Sequence, residues 1–460
     1  MCALKRIRKW LRILQLIRGD NLDPMKPTTR HTRRRFLSNG LAVSGGLALS
    51  RSSAFAQAMQ ASGSAGAPDI TGRNSLKAHA AAHGLLTGAA VEAQLLASNA
   101  GVAKIVTDQY SILVAENSMK VGPMRPTPTT YSFEGGDALV AFGDAHGIKV
   151  RGHNLCWHAQ LPSWFNSYVT KDNAKQVLVD HISTVAGHFK GKLHSWDVVN
   201  EAINVKDGMP GGMRNGPWYK LLPDFIPIAF RAARAADPNV LLTYNDYGIE
   251  TDSPDDTAKR AAILELVRGM KADKVPIDAV GIQSHIHAGW STADGKGLRE
   301  WMRTLRGMGL KLFVTELDIN DDTLKTDDPA EIDAAVAKTY REYLDVIMSE
   351  PAVTTVITWG VTDAHSWLAG RRGPRPPGPR PGQPGQPGQA AAGRPPAPPA
   401  QAEVQPPPPP GQAEVVPPGP PPGQQVAQHR PPERPLPFDA DNKPKPAFFA
   451  IRDSFDTRSA

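Results

Sequence analysis

Between residues 75 and 363 the chain alternates short apolar runs with stretches whose apolar positions recur every three or four residues. A run of four to eight apolar residues bounded by turn residues reads as a strand buried on both faces, and the longer period as a helix with one buried side. The runs fall at 84–91, 112–116, 149–155, 195–200, 240–244, 279–283, 312–316 and 353–359. Strands alternating with helices build a parallel sheet, because parallel neighbours need a crossover between them. Eight such units predict an α/β fold, a (β/α)8 TIM barrel, whose functional groups gather at the carboxyl ends of the strands and in the loops that follow. The last helix is displaced along the chain. After the eighth run the next helical pattern is at 446–455, with proline at its start and Phe448, Phe449, Ile451 and Phe455 spaced to close the barrel wall.

Composition explains the displacement. Of the 43 prolines in 460 residues, 25 lie between 371 and 437, with Gly, Gln and Ala filling most of the rest. Such a segment buries too little apolar surface to offset its ordering entropy. Residues 371–435 are therefore expected to be a disordered insertion between strand 8 and helix 8, with 436–460 as the final barrel loop and helix. Too little chain follows for an independent domain. The barrel is expected over 75–370, preceded by a short linker at 57–74.

Charge narrows the partners. The formal +7 is unevenly spread: residues 1–56 hold 12 Lys/Arg against Asp20 and Asp23, and residues 371–435 hold seven Arg against three Glu, which leaves −7 on the rest. An acidic folded portion removes the main support for nucleic-acid binding. Residues 1–56 read instead as an N-terminal extension and signal peptide. Arg33, Arg34 and Arg35 precede a mildly apolar stretch at 40–49 and the small-residue pattern Ala54-Phe55-Ala56. This resembles a twin-arginine signal, with the twin-arginine translocase as transient partner, cleavage after Ala56 or Ala58, and export to the periplasm or beyond. The apolar stretch is too short for a stable membrane anchor. Residues 5–18 read as a short basic amphipathic helix, and Met25 is placed to begin a more ordinary signal peptide. Cys2 falls in the segment expected to be removed, so Cys156 is left without an intrachain disulfide partner.

Candidate chemistry sits at the ends of the apolar runs. Glu201 closes the fourth and Glu316 the seventh, and two carboxyl groups across a barrel mouth suit glycosidic bond cleavage. Neighbouring run ends carry Glu116, Asn117 and Lys120, then His153 and His158, then Gln283 and His285, with Trp359 and Trp367 around the eighth. Amides, imidazoles and carboxylates bind hydroxyl-rich ligands, and indoles pack on the apolar faces of sugar rings. The histidines form no HExxH helix or other compact ligand set, and no nucleotide-binding glycine loop is present, so neither metal nor cofactor is expected. A non-catalytic carbohydrate-binding protein is the reading of another class.

These residues lie in ENSMK (116–120), GHNLCWHAQLPSWF (152–165), WDVVNEAI (196–203), RNGPWYKLL (214–222), YNDYGIE (244–250), GIQSHI (281–286), TELDI (315–319) and TWGVTDAHSWL (358–368). In that order and spacing the chain resembles glycoside hydrolase family 10, over roughly 75–363 and again at 435–455. The resemblance implies a retaining endo-1,4-β-xylanase acting on xylan or xylo-oligosaccharides, with Glu201 as acid/base and Glu316 as nucleophile. It implies that Asn200 bonds the sugar 2-hydroxyl, that His285 contacts the nucleophile with Asp318 orienting it, and that Glu116, Asn117, Lys120, His158 and Gln283 bind the sugar under Trp359 and Trp367. Trp164 and Asp197 are expected as supports. A retaining β-glucanase or aryl glycosidase on the same barrel is the enzymatic alternative. Val121 departs from the family pattern, where Trp is usual.

Overall fold

The computed structural model describes residues 68–369 and 431–458. Among them, eight parallel strands close into a barrel: β1 (Leu86–Ala90), β2 (Ile112–Val114), β3 (Lys149–His153), β4 (Ser195–Asn200), β5 (Leu241–Asp246), β6 (Ala279–Ile282), β8 (Lys311–Asn320) and β9 (Val353–Thr358). Each pairs with the next, β6 passes to β8, and β9 returns to β1. A short β7 (His285–His287) pairs with the end of β8 alone.

The strands read as apolar runs because one face lines the barrel interior and the other meets helices. Every residue of β2 and of β4 is buried. The wall helices are α2 (Ala100–Gln109), α3 (Glu134–His146), α4 (Ala174–His188), α5 (Phe225–Ala236), α6 (Pro254–Ala272), α7 (Lys296–Gly307), α8 (Pro329–Ile347) and α9 (Pro446–Phe455), after an N-terminal α1 (Leu76–Ala82). Their buried positions follow the helical period, as in Leu298, Trp301, Met302 and Leu305 of α7. Proline opens α6 and α8, where Ser253 and Asp328 cap the free amides of Asp256 and Ala330.

The strands appear where the apolar runs place them, with ends shifted by one or two residues, as at β5, which runs on to Asp246, and with one longer extension. The seventh run was expected to stop at Glu316, but β8 continues to Asn320, since β7 offers it a pairing edge through His285 and Asp318.

Two expected boundaries are corrected. Residues 69–74 are not linker: the carbonyl of Ile70 accepts from Gln109 Nε2 at 2.9 Å, and Gly72–Asn74 form a 3-10 turn leading into α1. Nor does the insertion run to 435. Arg434 makes a paired bond to Asp333 at 2.8 and 2.7 Å, Tyr340 donates to the carbonyl of Pro435 at 2.7 Å, and Leu436 is fully buried. Lys445, also buried, adds a bond to Asp363 at 2.8 Å. A composition dominated by proline hides the anchor at Arg434. From there the chain enters α9, which packs on α8 and on α1. The expected signal segment (1–56), the linker up to 67 and the proline-rich residues 371–430 lie outside the described residues.

Candidate active site

An open cleft of about 490 Å³ lies at the carboxyl ends of the strands. It brings together ten of the expected site residues: Glu116, Asn117, Lys120, Asn200, Glu201, Gln283, His285, Glu316, Trp359 and Trp367. An adjoining hollow of about 750 Å³ shares Tyr247 and His285 with it.

Glu201 follows β4 with φ of +57°, a left-handed conformation that ordinary residues rarely adopt. The consequence is local. Consecutive strand residues point to opposite faces, yet here Asn200 and Glu201 both line the cleft. The backbone amide of Glu201 donates to the carbonyl of Asn245 at 2.8 Å. The carboxylate accepts at Oε1 from Gln283 Nε2 (3.0 Å) and Asn200 Nδ2 (3.1 Å). Its polar neighbours are thus chiefly neutral amides.

Glu316 has different company. Oε1 accepts from Asn245 Nδ2 at 2.8 Å, and Oε2 accepts from His285 Nε2 at 3.2 Å. His285 Nδ1 donates to Asp318 Oδ1 at 2.9 Å, whose Oδ2 accepts from Trp367 Nε1 at 2.6 Å. An imidazole that donates from both nitrogens is protonated. Burial opposes that charge, but Asp318, by charge and hydrogen bond, and then Glu316 raise His285 well above the ordinary imidazole range. Burial likewise pushes the Glu316 carboxyl up, and the His285 hydrogen bond, the charges of His153 and His285 and the Asn245 bond outweigh it, holding Glu316 below the usual glutamate range.

Asn245 also donates to Asn200 Oδ1 at 2.8 Å, so an amide bridge runs from one carboxylate's neighbour to the other. Room for it comes from Gly281 on the adjacent strand, where a Cβ would lie 2.2 Å from Asn245 Oδ1.

Beyond β2, Lys120 Nζ donates to Asn117 Oδ1 at 2.9 Å and lies over the Trp157 ring. Burial lowers Lys120 below the ordinary lysine range against the pull of Glu316, Glu116, Glu92 and Glu201. Glu116 is raised, by burial and then by Glu92.

His158 is the exception among the expected residues. It does not line the cleft but faces a small hollow shared with Glu201, Arg214 and Trp218, with Nδ1 3.8 Å from Glu201 Oε2. Trp157 bridges Asn200 in strand register and takes the cleft side, which turns its successor away. Burial, then the charge of Arg214, lowers His158 to about 4, so it is neutral near pH 7. Asp318 stands behind His285, and Asp197 behind His153. Not singled out beforehand were Asn245, Trp157, Gln160 and Tyr247; all but Gln160 and Trp157 sit in YNDYGIE, and those two sit in GHNLCWHAQ.

Comparison with known proteins follows the same lines. The sequence model of Glycosyl hydrolase family 10 matches residues 75–381. Endo-1,4-beta-xylanase B of Paenibacillus barcinonensis is 34% identical over 294 residues, 61% of this chain and 85% of that protein. Endo-1,4-beta-xylanase A of Thermoanaerobacterium saccharolyticum is 34% identical over 302 residues, 62% of this chain, but only 25% of that protein's length is spanned. The crystal structure of xylanase 10B from Thermotoga petrophila in complex with xylobiose superposes with a TM-score of 0.64 at 27% identity, over 83% of this chain and 97% of that one.

Proposed function

The chain belongs to glycosyl hydrolase family 10, and on that premise we propose that it is a retaining endo-1,4-β-xylanase, with Glu316 as nucleophile and Glu201 as acid/base. The observation that carries the reading is the asymmetric pair of carboxylates in one cleft: Glu316 held ionised by His285, Glu201 held by amides. In the first step Glu316 attacks the anomeric carbon while Glu201 protonates the departing oxygen, giving a covalent glycosyl-enzyme. In the second, Glu201 takes a proton from water, which displaces Glu316 and restores the original configuration.

Asn200 would bond the sugar 2-hydroxyl, a contact that strengthens in the transition state. Lys120, Asn117, Glu116 and Gln283 supply polar contacts, while Trp359 and Trp367 offer indole faces. Two adjoining hollows sharing Tyr247 and His285 suit an extended polymer cut internally.

Xylan and carboxymethyl cellulose, given to the purified protein, test this directly. The expected result is release of reducing ends from xylan at least about tenfold faster, with the β-anomer appearing first by NMR, since specificity differences of this size arise from single pocket contacts. An α-anomer first, or faster release from the glucan, overturns it. We further propose that residues 1–56 direct export through the twin-arginine route. Replacing Arg33 and Arg34 by Lys should trap the precursor inside cells; unchanged export overturns the route.

A further inference from the structure

Beneath Glu316 the barrel interior holds charge that these steps leave idle. Arg151 on β3 is 1% exposed. Its Nη2 donates to Asp197 Oδ1 on β4, and its Nη1 donates to Ser195 Oγ at 3.3 Å and Thr243 Oγ1 at 3.4 Å. Asp197 Oδ2 accepts from His153 Nδ1 at 2.9 Å, and that nitrogen lies 4.0 Å from Glu316 Oε1. The strand register places Arg151 beside Ser195 and His153 beside Asp197, and the two-residue spacing keeps all four on one face. A column of side chains thus rises from Arg151 through Asp197 and His153 to the carboxylate.

A buried guanidinium is costly to desolvate, and an apolar side chain of similar volume often serves stability as well or better. Its place here calls for another account. Asp197 on its own would be a further carboxylate in the interior near Glu316, disfavouring ionisation of the latter. Pairing Asp197 with Arg151 cancels that repulsion while leaving Asp197 free to orient His153.

We propose that Arg151 is a positioning residue: through Asp197 and His153 it sets the orientation and the charge beneath the Glu316 carboxylate. The inference rests on Glu316 being the nucleophile. Facing Glu316 are also His285, backed by Asp318, Lys120 beyond β2, Glu201 beyond β4 and the neutral Asn245 of β5. Like Asp197 and Asp318, Arg151 touches neither the cleft nor the carboxylate directly, so it acts only through its neighbours.

The test is the pH dependence of kcat/KM on an aryl β-xylobioside with a good leaving group, where protonation by Glu201 matters least. Arg151→Gln keeps a donor for Asp197 without the charge, and its acid limb should move up by about one pH unit, with kcat/KM on that limb falling about tenfold. Arg151→Lys keeps the charge and should stay within about 0.3 unit of the wild type. A folded Arg151→Gln enzyme, judged by a cooperative melt, whose limb coincides with the wild type overturns the proposal. Should that variant not fold, Arg151→Lys decides alone: a limb displaced by about a unit with charge retained overturns it equally. A 2-fluoro xylobioside that fails to label Glu316 in the wild type sinks the nucleophile assignment instead, so the two failures are told apart.

Discussion

Two carboxylates share the cleft, but they are built differently. Glu316 sits within a continuous strand and is gripped by charge: His285 against it, Asp318 behind His285, and the His153 column below. Glu201 stands just past a strand end on a left-handed backbone, touched by two amides and flanked by a neutral His158. Cations fix the ionisation of the first. Neutral amide donors around the second fix where its carboxylate points, as a group that gives and takes a proton in turn needs. The difference teaches that a symmetric pair of residue types becomes an ordered pair of roles through the neighbours alone.

The largest test of that asymmetry removes the charged partner. Glu316→Ala should lower kcat at least about 10⁴-fold on xylan and on an activated aryl xyloside alike, because no leaving group substitutes for a nucleophile. Its thermal melt should stay cooperative. Comparable activity on either substrate at equal enzyme concentration breaks the assignment.

Glu201→Ala should discriminate. Xylan hydrolysis should fall about 10³-fold, whereas formation of the glycosyl-enzyme from a dinitrophenyl xyloside should fall about tenfold or less, since that leaving group departs without a proton. Burst kinetics read this step directly. Equal losses on both would erase the distinction between the two carboxylates.

His285→Asn probes the charge itself. Because Glu316 is held below the usual range, its ionised form persists as pH falls, and the reaction with it. Without the imidazole the acid limb of kcat/KM should move up by about one pH unit, and kcat should drop between about ten- and a hundredfold. An unmoved limb would place the electrostatic grip elsewhere.

The smallest effect separates acid loss of activity from acid loss of fold. His181 on α4 is 3% exposed, and neither ring nitrogen has a hydrogen-bond partner among the described residues. Burial, then Arg125, lowers it to about 3 from 6.5. Between those values the unfolded chain binds a proton that the folded one refuses, so stability rises with pH across the window, by linkage about 2 kcal/mol between pH 5 and neutrality. His181→Phe should flatten that slope in urea unfolding at pH 5 and 7 while leaving the acid limb of kcat/KM in place. A limb that moves with it would mean that activity is lost at low pH through unfolding rather than through Glu316.

Much of this was legible in the chain. Runs such as Ile112-Leu113-Val114 and Trp196-Asp197-Val198-Val199 are buried on both faces, so periodicity finds them without knowing their neighbours. Both glutamates were visible for the same reason, as carboxylates placed at or beside buried runs. What periodicity cannot carry is contact between distant segments. Asn245 looks like one more residue of a strand until Gly281 is seen to open space for it beside Glu316. The turn of Glu201 and the withdrawal of His158 from the cleft into the hollow beside Glu201 depend on backbone angles and on the Trp157 bridge, not on residue type. Arg434 was concealed because a segment average dilutes a single anchoring side chain among prolines.

The placement of α9 has a consequence in time. A ribosome adds about 5–20 residues per second, so the stretch between Ala369 and Pro431 delays the arrival of α9 by roughly three to twelve seconds after β9 has emerged. Throughout that interval α8 and α1 lack the helix that packs against them. The length of the proline-rich stretch thereby acts as a clock on when the barrel can seal.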